Sequence, residues 1–436
     1  MFTKAQAALD GTTRTLPPLY HNWLSDLLAE LPMRVCVDLW GQEEIWAAGR
    51  QDQGEKCLRV TIREPEVLKR LLFRRDLLVI VEAYLADQLR FYGDTEQMVG
   101  FVEYLAERVE FRQGFAAWLE KNLLSPLRST LDGGGAWPRF IRHSLERDRA
   151  AVQQHYDLSN EFYKLWLDRS MTYSCARFEE PDMTLEKAQE AKLDLICRKL
   201  RLKPGERMLD IGCGWGGLLK WAATHYGVQA CGITLSNEQV HYNHDWIQRD
   251  AFQDRVQVEL CDYREAYRLG EFDKIVSVGM IEHVGLRNYP TYFRSILKAL
   301  SPGGLFLNHG ITTSSEWNPA GMAERFIDRY IFPDGELSTL PATLAAAKDG
   351  GWETIDLDCW RPHYAKTLRC WAERLERARQ QAADIVGEGV VRLWHLYLIG
   401  SAFGFERNKL SVYQTLLRRA QDERWNLPMT RAGWLS

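Results

Sequence analysis

The sequence predicts an α/β protein in which a parallel sheet is covered by helices on both faces, preceded by a smaller α+β domain. Three observations carry this. Downstream of Arg207, short apolar runs alternate with amphipathic helical segments, the rhythm of βαβ units. Upstream, residues 34–63 alternate as strands before helical periodicity takes over. Between the two, SPLRSTLDGGGAWP sets Gly133, Gly134 and Gly135 in a row, a composition suited to a linker. The expected division is a domain over residues 1–125, a linker over 126–150 and a larger domain over 151–436.

Taken in order, RVCVDLW, EIWAAG and CLRVTI are expected as strands, separated by GQE and by Gly54. PEVLKRLLFR, LLVIVEAYLADQLRF and GDTEQMVGFVEYLAERV then carry apolar residues at helical spacing, with Asp94 or Thr95 placed to cap the last. A charged helical segment, FIRHSLERDRAAVQQHYDLSNEFYKLWL, leads into the strands MLDIG, VQACGIT, VQVEL, FDKIVSVG and LFLNHGIT. The helices between them are LLKWAATHYG, NEQVHYNHDWIQRDA and YPTYFRSILKALS.

Composition narrows the function classes. With 436 residues, 46% hydrophobic and 26% charged, the chain is neither disordered nor collagen-like nor a coiled coil. A net charge of −4 and a pI near 6.3 argue against a protein that coats nucleic acid. The nine cysteines are an odd number without CxxC or Cys/His ligand spacing, so neither a disulfide framework nor a metal site is indicated, which suits a reducing cytosol. The N-terminus MFTKAQAALDGTTRT has no apolar signal core, and the longest charge-free apolar stretch, 393–405, is too short for the roughly 20 residues of a membrane span. A soluble or peripheral protein is expected. The 16 tryptophans suit a packed core, an apolar ligand site or a membrane-facing surface.

The glycine loop DIGCGWGG directly follows a strand and opens a helix, so Gly212, Gly214 and Gly216 would let backbone approach a ligand at the sheet's C-terminal edge. The spacing is GxGxG rather than GxGxxG, and the next strand ends in Thr234-Leu235-Ser236 rather than in an acid, which disfavours a nicotinamide cofactor. No GK[ST] follows, so a P-loop is excluded. Asp210 would repel a pyrophosphate yet can neutralise a cationic cofactor, and S-adenosylmethionine is of that kind.

DIGCGWGG (210–217), GITLSNEQ (232–239), HYDLSNEFY (155–163), MTYSCARF (171–178), SVGMIEHVG (277–285), RYIFPDGEL (329–337) and HYAKTLRCW (363–371) together resemble the cyclopropane fatty acid synthases and the related mycolic acid cyclopropane synthases and methyltransferases. The resemblance spans roughly residues 150–415, and VDLW with EAYLADQLRFYGD makes the first 125 residues similar to the family's N-terminal lipid-binding domain. It implies a seven-stranded, Rossmann-like class I methyltransferase fold. The implied reaction adds a methylene from S-adenosylmethionine across a cis double bond of a membrane phospholipid's acyl chain. Positions matching the family's cofactor site are Tyr173, Ser174, Gly212, Thr234, Leu235 and Gln239, with Asp262 and Tyr263 near the adenine. Those matching its bicarbonate site are Cys175 and Ile311, through backbone, and Glu282, His309 and Tyr364.

Such chemistry has two needs. An alkene is a weak nucleophile, so methyl transfer leaves a cation on the acyl chain; ring faces of Trp and Tyr tolerate it without trapping it. Ring closure then needs a base, and a small anion held by donors and one carboxylate serves; Glu282 is expected to accept the anion's hydroxyl proton. His283, beside it, reads as a structural hydrogen-bonder.

To meet its lipid, the chain would associate peripherally with the inner face of the membrane from the cytoplasm. Candidate contacts are Lys69, Arg70, Arg74 and Arg75, and the segment PPLYHNWLSDLLAELP. A homodimer is compatible with the sequence, and Arg139, Arg142, Arg147 and Arg149 are left without a role beyond contact with lipid phosphate or between domains. Alternative readings are a same-family enzyme leaving a methyl or methylene branch, a non-catalytic lipid-binding protein, and a small-molecule methyltransferase sharing only the glycine loop.

Overall fold

The computed structural model describes residues 24–31, 33–47, 57–74, 76, 78–93, 97–105 and 159–432. The triple glycine, the cap candidates Asp94 and Thr95, and the four arginines between 139 and 149 lie outside them, as do the side chains of Lys69, Arg74 and Arg75. The chain divides into two compact units, residues 1–137 with 392–394, and residues 138–391 with 395–436.

The first unit is built on a four-stranded sheet of order β2-β1-β3-β4, with β1 Val35–Leu39, β2 Glu43–Ala47, β3 Leu58–Ile62 and β4 Leu89–Tyr92. β1 lies antiparallel to β2 and parallel to β3, and β3 is antiparallel to β4. A parallel pair requires a crossover, and the fully buried Val35, Cys36 and Leu39 show that β1 is covered on both faces. Helices α1 Pro65–Arg74 and α2 Leu78–Leu85 follow β3 as the periodicity indicates.

The second unit holds the parallel sheet. Its strands are β5 Arg207–Ile211, β6 Gln229–Thr234, β7 Val256–Leu260, β8 Phe272–Val278, β9 Leu300–Thr313, β10 Ser338–Thr339, β11 Trp352–Cys359 and β12 Leu410–Arg419. The order is β11-β12-β9-β8-β5-β6-β7, with the two-residue β10 paired to the end of β9. Strands β5 to β9 are mutually parallel, whereas β12 runs antiparallel to β9 and to β11. The sequence reading located β5 to β9 and missed β10, β11 and β12. Seven strands are implied by the resemblance; the described residues form eight, the additional one being β10.

The longer helices of this unit are α3 Leu185–Leu200, α4 Gly217–His225, α5 Asn237–Arg249, α6 Tyr289–Ala299, α7 Leu340–Asp349, α8 Arg361–Arg377 and α9 Glu388–Glu406. Two cores follow from strand alternation. Met208, Val276, Leu305, Leu307 and Leu416 pack against Leu193, Ile196, Cys197 and Leu200 of α3 and Leu218, Leu219 and Ala222 of α4. Leu209, Ile211, Ile275 and Phe306 pack on the opposite face against Tyr292, Phe293 and Ile296 of α6. The two-residue period of the strands therefore puts Asp210, Val278, His309, Ile311 and Gln414 on the face covered by α3. Because β6 and β8 flank β5 on opposite sides, the chain order reverses at β5, and a crevice opens beyond its C-terminal end.

Candidate functional site

That crevice is a cavity of about 1110 Å³, open mouth included. Tyr173, Ser174, Asp210, Gly212, Gly214, Thr234, Leu235, Gln239, Asp262 and Tyr263 all line it. Gly212 turns the chain at φ +78°, and a Cβ there would sit 3.0 Å from Met280 Cγ, across the cavity mouth. Gly216 does not line the cavity. It caps α4 at φ +83°, where a Cβ would meet Asn243 Oδ1 and approach Trp246 Cζ2 to 2.9 Å. The expectation that Gly216 admits a ligand is corrected: it admits Asn243, whose Nδ2 donates to Gly214 O (2.8 Å) and so fixes the loop.

Each remaining side chain is held from behind. Thr234 Oγ1 donates to Gln239 Oε1 at 2.6 Å and accepts from Ser236 N, joining the end of β6 to the start of α5. Asp262 accepts from Arg264 N, Nε and Nη2 at 2.9, 2.7 and 2.8 Å, which fixes its carboxylate at the cavity wall. Tyr263 packs 5.4 Å from Tyr292. The extended stretch 172–174 is pinned by α3: Gln189 Nε2 donates to Thr172 O and Ser174 O, and Lys192 Nζ donates to Ser174 Oγ at 2.9 Å. Trp215 Nε1 reaches Asn160 Oδ1, and the rings of Tyr163, Trp166, Tyr173, Trp215 and Trp371 form one cluster with centroid spacings of 4.9–6.0 Å.

Beside the Asp262–Arg264 ion pair, Asp210 and Lys192 place a carboxyl and an ammonium on the cavity wall, both buried. Burial lifts the Asp210 carboxyl to about 7, against the pull of Lys192, and burial lowers the Lys192 ammonium to about 8. A carboxylate so placed gains by meeting a cationic ligand, which fits the sulfonium and ammonium of S-adenosylmethionine.

The five residues matched to an anion site fall into two contact groups joined by β9. Glu282, on the short turn Ile281–His283 after β8, accepts through Oε1 from Ile311 N–H at 2.7 Å. His309, two residues earlier on β9, meets Trp360 edge to face at 5.4 Å. The Cys175 thiol faces Trp360 O at 3.8 Å, and Tyr364 N–H donates to the same carbonyl at 3.0 Å. Cys175 is kept a thiol by burial, far above its ordinary value. Ile311 departs from expectation: its N–H is already spent on Glu282, so it orients the carboxylate rather than an anion.

What the chain leaves open is Glu282 Oε2 and both ring nitrogens of His309, all sealed from solvent and without a hydrogen-bond partner. Burial raises the Glu282 carboxyl to about 7 and lowers His309 to about 3, with Lys192 and Lys199 adding to the latter. His309 is thus neutral, with one N–H to donate and one nitrogen to accept. Unsatisfied buried polar atoms of this kind cost about 1–3 kcal/mol each, and a small oxyanion accepting from His309 and sharing a proton with Glu282 would satisfy them. Sequence reasoning missed Trp360, Lys192 and Gln189. Lys192 and Gln189 are buried on α3, where a polar side chain read singly passes as solvent-exposed, so the sequence does not single them out.

Comparison with known proteins places the chain in a family. Residues 143–415 match the family model described as mycolic acid cyclopropane synthetase. The chain is 37% identical over 410 residues, 93% of its length and 99% of the relative's, to a probable fatty acid methyltransferase of Pseudomonas putida. It is 35% identical over 378 residues, 85% and 91% of the two lengths, to cyclopropane-fatty-acyl-phospholipid synthase of Escherichia coli K12. Among solved structures, the cyclopropane synthase MmaA2 from Mycobacterium tuberculosis superposes with a TM-score of 0.59 at 36% identity, covering 62% of this chain and 97% of that one. Mycolic acid cyclopropane synthase CmaA1 complexed with SAH and CTAB gives 0.58 at 35% identity, covering 62% and 98%. The fold is that of the class I S-adenosylmethionine-dependent methyltransferases, and the chain belongs to the mycolic acid cyclopropane synthetase family, whose enzymes transfer methyl groups to lipids.

Proposed function

We propose that this enzyme adds the methyl carbon of S-adenosylmethionine to the cis double bond of an unsaturated phospholipid acyl chain and closes a cyclopropane ring with the help of a bound bicarbonate. The observation that carries the reading is the set of orphaned buried atoms, Glu282 Oε2 and the His309 nitrogens, next to the cofactor cavity: His309 is the cross-strand partner of Val278, which lines it. When bound, S-adenosylmethionine supplies an electrophilic methyl carbon and bicarbonate a small base.

The chain's own residues do the rest. Asp210 neutralises positive charge at the loop, while Ser174, braced by Lys192, and Thr234 with Gln239 orient polar groups of the cofactor. Tyr173, Trp166, Trp371, Tyr364 and Phe405 form an apolar aromatic wall that tolerates positive charge on an acyl chain and excludes water. Closing the ring requires the new methyl group to lose one proton. Glu282, lifted to about 7, holds or takes up a proton at Oε2 near neutral pH, and so orients a neighbouring anion without a full repulsive charge.

No helix among the described residues is long and apolar enough to cross a membrane. Peripheral association with the membrane's inner face through the N-terminal unit is part of the proposal, as is presentation of the lipid there. The test is incubation with labelled S-adenosylmethionine and vesicles of a cis-monounsaturated phospholipid. Ring closure gives a gain of one methylene, loss of vinyl proton signals and new high-field ring protons. The Pseudomonas putida relative favours a second reading, a methyl or methylene branch, which the same spectra show as branch methyl or exocyclic vinyl signals. Absence of label in the lipid refutes both.

A further inference from the structure

One buried amide next to the proposed anion site has no role in the account above. Gln414 on β12 is 1% exposed and is the direct cross-strand neighbour of His309 on β9; Asp358 on β11 is in turn the neighbour of Gln414. Val278, His309, Gln414 and Asp358 thus form one row across four strands, on the face covered by α3. Directly opposed residues on one face have Cβ atoms about 4.5–5.5 Å apart, within reach of a shared small ligand.

The orientation of the Gln414 amide is fixed by chemistry. Lys199 Nζ lies 2.8 Å from it and can only donate, so the atom facing Lys199 is Oε1. Lys199 is 2% exposed and is anchored on Asp358 Oδ2 at 2.8 Å, with Asp356 at 3.8 Å and the Trp360 ring centroid at 5.8 Å. With Oε1 engaged, the NH2 end is turned away from Lys199. It is sealed from solvent and has no partner, and neither ring nitrogen of the adjacent His309 has one. A buried amide donor beside two unpaired imidazole nitrogens marks a place where a ligand with several acceptor oxygens belongs.

We propose that Gln414 Nε2 donates to the small oxyanion held by His309 and Glu282, and that Lys199 is the positioning residue that keeps this amide facing the anion. The inference deepens the proposed function and rests on its anion site. Lys199 stands behind the amide with its charge offset by Asp358, so it orients the donor without itself reaching the ligand. The row also ties the anion site to the cofactor cavity, since its first member, Val278, lines that cavity.

The experiment titrates carbon-13 bicarbonate into the full-length protein, with and without S-adenosylhomocysteine, by NMR and by thermal unfolding. Gln414→Met removes the donor while keeping volume and charge, and Lys199→Met and the double variant complete a cycle. Loss of one hydrogen bond to a charged ligand weakens bicarbonate binding about tenfold or more in Gln414→Met, with S-adenosylhomocysteine affinity unchanged. Lys199→Met weakens it as well, and the double variant is no worse than Gln414→Met alone, because Lys199 acts through the amide.

Wild-type affinity in Gln414→Met overturns the proposal and leaves the proposed function standing. Additive effects in the double variant overturn the role of Lys199; if Lys199→Met does not fold, Gln414→Met decides the matter alone. If the wild type binds bicarbonate but labels no lipid, the Gln414 site holds and the catalytic reading falls. If the wild type shows no bicarbonate binding, the anion site and this inference fall together.

Discussion

Glu282→Gln should separate stability from turnover, and the separation should depend on pH. In the fold the Glu282 carboxyl sits at about 7, against 4.5 for the free group, and the cause is burial, opposed by the Ile311 N–H and by the backbone N–H of Glu282 itself. A carboxyl whose folded value exceeds its unfolded value binds more protons when folded, so it makes stability fall as pH rises between the two values. At 1.36 kcal/mol per unit, the cost above pH 7 is about 3 kcal/mol. Glutamine keeps the contact to Ile311 N–H through its amide oxygen and cannot ionise. The variant should therefore match the wild type near pH 4 and exceed it by up to about 3 kcal/mol above pH 7, measured by urea denaturation across that range. Turnover should fall about 100-fold, the size of a lost acid–base contribution, with S-adenosylhomocysteine affinity retained. A stability difference that does not change with pH would refute the assignment of the raised value to Glu282. A large loss of cofactor affinity with turnover untouched would refute its place at the anion.

Asp210, also lifted to about 7, must be ionised to attract a cationic cofactor, so wild-type affinity for S-adenosylmethionine should tighten as pH rises through 7; Asp210→Asn should bind weakly and without that slope, by calorimetry. Gly216→Ala places a Cβ at positive φ and displaces Asn243 from the loop, and a loss of about 2 kcal/mol or more is expected in denaturant unfolding. Vesicle sedimentation should show binding to anionic membranes that weakens with salt and is lost on removal of residues 1–125; full retention by the shortened chain would remove the N-terminal unit from the membrane-binding account.

How much of this was legible follows from what each residue packs against. Strands β5 and β8 announce themselves because parallel strands buried on both faces are nearly continuous apolar runs, as in MLDI or IVSV, and the edge strand β7 does so by alternation, VQVEL. β12 does not: Ser411, Gln414, Thr415 and Arg418 are all buried in it, and its pattern suggests a half-polar surface segment. The residues that carry the cofactor loop were legible because glycine and its neighbours are contiguous, whereas the supports of the anion site come from α3, β11 and β12, far apart in sequence. Lys192 and Lys199 were illegible for a physical reason: a lysine on a helix is nearly always solvated, and only the fold shows both to be buried.

Those two lysines also explain how an anion and a carboxylate can share an apolar pocket. They stand two turns apart on one side of α3, and both push His309 toward its neutral form. A neutral imidazole offers one donor and one acceptor, so it can bind an anion without fixing a proton that the reaction must move. Glu282 meets the same requirement from the other direction, lifted by burial to a range where gaining or losing a proton near neutral pH costs little. The tryptophan surplus belongs to this arrangement as well. Trp166, Trp360 and Trp371 are buried around the site, where their rings exclude water and keep the dielectric low. Low dielectric is what shifts both acids and both bases, so the aromatic shell and the titration behaviour of the site have one cause.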